Sequence, residues 1–390
     1  MDATLGSAAR RRTRFVAPLI TLLLLSSCAA PGLETSRSAP REDPEFAIVF
    51  GDDGVAMTDG HWIEQLQLDS SEGIPPGPEA VGLDASRAAV VAADRIAVVS
   101  PDEPAVVAEC ADCAGIAATD EFVVTTRKNF VPGEGFDILV FSQDLGPVRT
   151  IPTQRLEERV TTSYPAENTA SPITLAADDE RVTVGYLSRV GGVRRGPSVV
   201  AQYDYEGQLL SSVLVDGIIG RSAVSPDGRH LAIGVGGSGG ACITVSEPVV
   251  VDLQSLRVQI IEPTVPADIV VNSASLSQPW FMLTDLVWRE STLVATGEVH
   301  NPAPGEFCDS EPDVWQRIFE PASGRLVDFG DLAARAIRWV GPECEHVLAV
   351  TAPWEAAALV RTTDGPEQRL GSFDRISLGR PMPQECREVP

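Results

Sequence analysis

From residue 46 onward the apolar positions come in short runs of Val, Ile, Leu, Thr and aromatic residues, separated by Gly, Pro, Asp and Ser, with no sustained helical period. That pattern predicts many short antiparallel strands. The clearest stretch is SAVSPDGRHLAIGV at 222–235 followed by PVVVDLQSLRVQII at 248–261. It predicts a strand, an Asp-Gly turn, a second strand, a long loop, a third strand, a short turn and a fourth strand.

The same grammar recurs with drift at 115–151, 173–216, 283–329 and 335–372, and more loosely at 46–68 and 78–109. Four strands in so few residues make one blade of a β-propeller, and a single blade cannot cover both of its faces. Stacking blades around an axis covers both. The expected fold is therefore all-β, a propeller of four-stranded antiparallel blades. Seven blades are expected and six is the alternative count. The first unit is one strand short, and the chain after Phe373 is the candidate to supply that strand and close the ring.

The phrase SPDGRHLA at 225–232 resembles the TolB-like and WD40-like repeats of bacterial propellers, in which such a turn joins the first two strands of a blade. The likeness is sharp in that one blade and loose elsewhere. The hydrolase domain that follows the propeller in the prolyl oligopeptidase group has no counterpart in the pattern.

Ahead of the propeller lies a different composition. Arg10, Arg11, Arg12 and Arg14 precede an apolar run from Phe15 to Leu25, which is shorter than the roughly 20 residues a membrane span needs. A basic start, a short apolar middle and small residues afterwards predict a secretory signal peptide over 1–27. Phe15 sits at the wrong offset from the arginines for a twin-arginine signal, so export of the unfolded chain is expected. Leu25-Ser26-Ser27-Cys28 resembles the lipobox of bacterial lipoproteins. That resemblance implies a diacylglyceryl group on Cys28, which becomes the first mature residue, and two acyl chains anchor stably where one is marginal. Residues 28–45 hold several prolines and few large apolar side chains, the composition of a flexible tether. The propeller then takes 46–390, its last residues forming a closing tail. The expected location is the extracytoplasmic side of a cell membrane, held there by lipid.

Charge narrows the partners. The chain carries a net −25, and since residues 1–27 hold four arginines and one acid, the remainder carries −28. Such a surface repels phosphate backbones, so no nucleic-acid partner is expected. Beyond Cys28 there are six cysteines, an even number that points to disulfides in an exported chain. The blade register pairs Cys242 with Cys308 in long loops of adjacent blades, Cys344 with Cys386 across the closure, and Cys110 with Cys113 locally. Each of the longer bridges would contribute roughly 2–4 kcal/mol. The lone CADC lacks the second pair or the histidines of a zinc site.

Candidate chemistry is sparse. GVGGSGG at 234–240 satisfies both a dinucleotide fingerprint and a hydrolase elbow by spacing. Each motif needs a helix immediately afterwards, and the β-branched ACITVSEPVVV predicts a hairpin loop instead. Asp309, Glu311 and Asp313 form an acidic triplet that could attract Ca2+, but the glycine and distal glutamate of an EF-hand are absent. A solvated acidic loop, with no metal and no cofactor, is the plainer reading. His61, His230, His300 and His346 are scattered over separate blades. The long loops at 127–136, 188–198, 236–247 and 299–313 all join second to third strands and so share one face. Arg189, Arg194 and Arg195 place positive charge there.

These features predict a non-enzymatic module that binds a protein, a peptide or an envelope glycan on its long-loop face. The competing expectation is an extracytoplasmic enzyme, a hydrolase or sugar-processing protein, with carboxylates converging in the central channel. A spacer without a ligand is the third.

Overall fold

The chain divides into residues 1–37 and 38–390. The computed structural model describes residues 44–379 apart from 52–53, 67, 69–77, 93, 128–134, 154–168, 189–197, 239–243, 262–279, 290, 301–312, 321–324, 329–333, 342–345, 352–357 and 363–367.

Seven sheets of four antiparallel strands follow one another along the chain. Blade 1 holds β1 (Ala47–Gly51), β2 (Gly54–Thr58) and β3 (Ile63–Leu66). Blade 2 holds β4 (Ala80–Asp84), β5 (Arg87–Ala92), β6 (Arg95–Val99) and β7 (Val106–Glu109). In blade 3 come β8 (Cys113–Ala118), β9 (Phe122–Arg127), β10 (Asp137–Ser142) and β11 (Pro147–Pro152). Blade 4 has β12 (Thr169–Ala177), β13 (Arg181–Ser188), β14 (Ser198–Asp204) and β15 (Leu209–Val215). Blade 5 has β16 (Ile218–Val224), β17 (His230–Ser238), β18 (Thr244–Asp252) and β19 (Val258–Ile260). Blade 6 has β20 (Trp280–Arg289), β21 (Thr292–His300), β22 (Asp313–Glu320) and β23 (Arg325–Asp328). Blade 7 has β24 (Ala334–Val340), β25 (His346–Thr351), β26 (Leu359–Thr362) and β27 (Gln368–Gly371).

The fourth strand of blade 1 is β28 (Phe373–Leu378), which pairs antiparallel with β1. Successive blades touch through their first strands, and blade 7 touches blade 1 through β24 and β28. The ring is therefore closed by the far end of the chain. It is a seven-bladed β-propeller.

Packing explains why the strands read as continuous apolar runs. Successive side chains of a strand point to opposite faces. In β10, Ile138 and Val140 enter a core cluster shared with blade 4, whereas Leu139 and Phe141 enter one shared with blade 2. In β5, Ala88, Val90 and Ala92 face blade 1 while Ala89 and Val91 face blade 3. The core is thus a circle of interblade layers rather than one central mass. Outer strands, covered on one side only, keep exposed positions, as at Val148 and Leu214.

Each of the seven innermost strands breaks register with its neighbour at a β-bulge: β4, β8, β12, β16, β20, β24 and β28. A bulge bends its strand and re-aims the side chains around it. In β8 the bulge falls at Gly115, whose φ of +67° and backbone contact with Thr174 leave no room for a Cβ.

Candidate functional site

The two faces of the ring differ. On one, which carries the turns between first and second and between third and fourth strands, no connection exceeds six residues. Short polar side chains tie these turns to their own backbone. In the Ser-Pro-Asp-Gly turn, the Ser225 hydroxyl donates to Asp227 at 2.7 Å and accepts from the His230 N–H at 2.8 Å, and Asp227 accepts from the Arg229 N–H at 3.1 Å. Gly228 supplies the left-handed residue at φ +67°. Asp59, Asp84, Asp178, Asp204 and Asp252 close other turns of that face in the same manner.

The opposite face carries the second-to-third connections and those between blades. Every connection of nine residues or more starts and ends at strand ends on it: 67–79, 128–136, 153–168, 189–197, 261–279 and 301–312. The expected long loop at 236–247 is a correction. Gly236, Gly237 and Ser238 pair with Ser246, Val245 and Thr244, so the glycines form hairpin arms and only 239–243 connect them. Without side chains to alternate, extended glycines look like a loop. Arg189, Arg194, Arg195, Asp309 and Glu311 lie outside the described residues, as do Cys28, Cys242, Cys308, Cys344 and Cys386. Asp313 opens β22, opposite Val299.

Cys110 and Cys113 are both buried and joined by a disulfide, with Cα atoms 5.5 Å apart. The bridge closes the tight passage from β7 to β8. That turn docks on the β5–β6 turn, the Cys110 N–H donating to the Asp94 carbonyl at 2.8 Å.

Charged side chains gather on the innermost strands, where sequence reasoning placed only a general expectation of carboxylates. Arg338 of β24 meets Asp285 of β20 across the seam between blades 7 and 6, Nη2 donating to Oδ1 at 3.0 Å and Nη1 to Oδ2. Arg375 of β28 grips Glu79, just ahead of β4, with Nε to Oε2 and Nη2 to Oε1 both at 3.0 Å. The Ser377 hydroxyl adds a 2.8 Å bond to Glu79, and Asp374 lies 3.2 Å from the Arg375 Nη1. All four bidentate partners are buried, Arg338, Asp285 and Arg375 at 3% exposure and Glu79 at 6%. The Arg375 guanidinium also stacks 5.1 Å from the Phe50 ring centre. Burial lowers the pKa of Arg375, but the charge of Glu79 and its hydrogen bonds raise it further, so the net shift is upward. Fork-to-fork contacts of this kind are the strong form of ion pair. They occupy both oxygens of each carboxylate.

The histidines are less scattered than expected. His61, in the β2–β3 turn, meets His346, the first residue of β25, with their Nε2 atoms 2.7 Å apart. This contact sits at the seam between blades 1 and 7, on the short-turn face and away from the axis. His230 packs against Trp288. Among the described residues no group of three or more His, Cys, Asp or Glu could hold a metal ion.

No protein-family model matches the sequence, and no curated protein does. Similar solved structures include a protein from Lactobacillus plantarum, 15% identical over 86% of this chain and 97% of that one, with a TM-score of 0.45. The β-propeller domain of the Trilobed protease from Pyrococcus furiosus is 11% identical, covering 87% and 98%, at 0.45. TolB from Acinetobacter baumannii is 12% identical, covering 88% and 87%, at 0.37. The fold assignment rests on the seven sheets themselves.

Proposed function

We propose that this protein is a non-enzymatic binding module of the cell envelope, anchored by lipid at Cys28 and engaging a protein, peptide or envelope glycan through its long-connection face. The observation that carries this reading is that all six long connections start and end on one face of the ring. Long loops on a rigid scaffold are where binding surfaces concentrate. The opposite face, closed by short self-bonded turns, offers no comparable freedom.

Other features agree. The Cys110–Cys113 disulfide suits an oxidising compartment outside the cytoplasm. Residues 28–45 would let the ring stand off the bilayer. The competing reading as an enzyme asks for axial carboxylates free to move protons, whereas Glu79 and Asp285 are each committed to a guanidinium.

Crosslinking and mass spectrometry on the tagged protein in its native membrane tests the proposal, with one variant shortened at 189–197 and 301–312 and a second carrying Cys28→Ala. The intact protein is expected to enrich a specific partner that the shortened variant loses, and Cys28→Ala is expected to leave the membrane fraction. Equal enrichment by intact and shortened protein would remove the loop face from the proposal.

A further inference from the structure

Arg221 differs from the other innermost arginines. It lies at the bulge of β16, where Ile219 and Ser222 keep register with β17 and two residues between them oppose one. Asp285, Glu79 and Asp374 are within electrostatic reach of it. Yet among the described residues none gives it a hydrogen bond or an ion pair, because Arg338 already holds Asp285 and Arg375 already holds Glu79 and Asp374. Its guanidinium thus keeps its donors in the one part of the ring where the other charges are satisfied.

Two further observations bear on this position. Arg221 is half-buried, and the loss of water pulls its pKa below the ordinary arginine value even though Asp285 and Glu79 pull it back up. The neighbouring acids therefore do not make good what burial removes. Next to it on the same strand, the Ser222 hydroxyl is buried with no hydrogen-bond partner. A hydroxyl taken from water and left without a partner is costly.

We propose that Arg221 anchors a ligand subsite in the central channel, and that the group it takes is a carboxylate. The guanidinium fork matches a planar carboxylate with two parallel hydrogen bonds. A single negative charge is the matching one here, since Arg338 and Arg375 are already taken up by Asp285, Glu79 and Asp374 and Arg221 alone of the three guanidiniums is left to meet it. The subsite does not depend on the loop-face reading, and it stands or falls by a separate measurement.

That measurement is calorimetric titration of the full chain in detergent with four probes: glutarate, a short peptide with a free C-terminal carboxylate, the same peptide amidated, and inorganic phosphate. Glutarate, the free-acid peptide or both are expected to bind, with the amide and phosphate at least about tenfold weaker, the scale of one charge-assisted contact. Binding of glutarate alone marks a small-molecule ligand, and binding of the peptide alone marks a chain terminus. Arg221→Gln should lose about tenfold or more of the affinity, with Arg221→Lys, which keeps the charge but not the fork, falling between. The Arg221 Nε–H resonance of the unaltered protein, assigned by its loss in Arg221→Lys, should shift with the bound probe. That readout needs only the unaltered protein and the lysine variant. The proposal is overturned if no carboxylate probe binds, if phosphate binds more tightly, if the resonance stays still, or if Arg221→Gln binds as the parent does.

Discussion

At the Arg338–Asp285 contact two opposite charges have given up nearly all their water, and each is stable only because the other is present. Removing one leaves the other stranded, which costs about 3–5 kcal/mol, whereas replacing both by apolar side chains of similar volume is often neutral or better. Urea unfolding should therefore find Asp285→Ala and Arg338→Met strongly destabilised and the double variant Asp285→Leu/Arg338→Met more stable than either. Single variants that unfold with the parent would mean that water reaches the pair. The same reasoning shows why these residues escaped sequence reading. Asp285 in LTDLVW and Arg221 in IIGRSAV are lone charges inside apolar strands, while Arg338 in RAIRWV and Arg375 in SFDRISL each have one charged neighbour, Arg335 and Asp374. No spacing links them, since each sits on a different blade and only closure of the ring brings them together. The signal that could have found them is a charge within the apolar first strand of a blade.

Among the strands and turns, what could be read in advance was what depends on local alternation. The blade at 222–261 and the strand from the tail beyond Phe373 were both legible, because doubly buried strands leave continuous apolar runs between turn residues. The hairpin arms at 236–238 and 244–246 were not, since glycine gives no pattern to read. The short turns carry a pH dependence of their own. Asp227 is pushed up by burial, but the bonds from Ser225 and the Arg229 N–H outweigh this and hold it below its usual value. Asp84 and Asp252 follow the same balance, the Ser86 N–H lowering the first and the Ser255 hydroxyl the second. A carboxyl whose folded pKa lies below its unfolded value stabilises the fold above about pH 4, and that contribution is lost as pH falls through the folded value. The melting temperature should drop on acidification below that range, and Asp227→Asn should lie below the parent at pH 6 but approach it at pH 3. A gap that is the same at both values would assign the turn's contribution to shape rather than charge.

For the whole molecule the decisive element is β28. It completes blade 1, places Phe373 and Ile376 in the layer between blades 7 and 1, and carries Arg375 to Glu79. A chain ending at residue 372 should lose all three, leaving the edge of β1 open. Its expected behaviour is loss of the cooperative unfolding transition and rapid cleavage by a broad-specificity protease, against a resistant full-length ring. Retention of the transition would show that six complete blades hold without the seventh being closed.

The closing strand also sets an order of events. Arg375 and Glu79 are 296 residues apart, so blade 1 waits through the synthesis of the whole ring for its inner strand. Contacts between such distant parts of a chain are slow to form, because a long loop must be closed before they return any stability. Blades 2 to 7 can each assemble from contiguous residues, while the first blade stays incomplete until the end. A ring built this way cannot lock before its last strand is made, so every stage of synthesis ahead of residue 373 leaves it open.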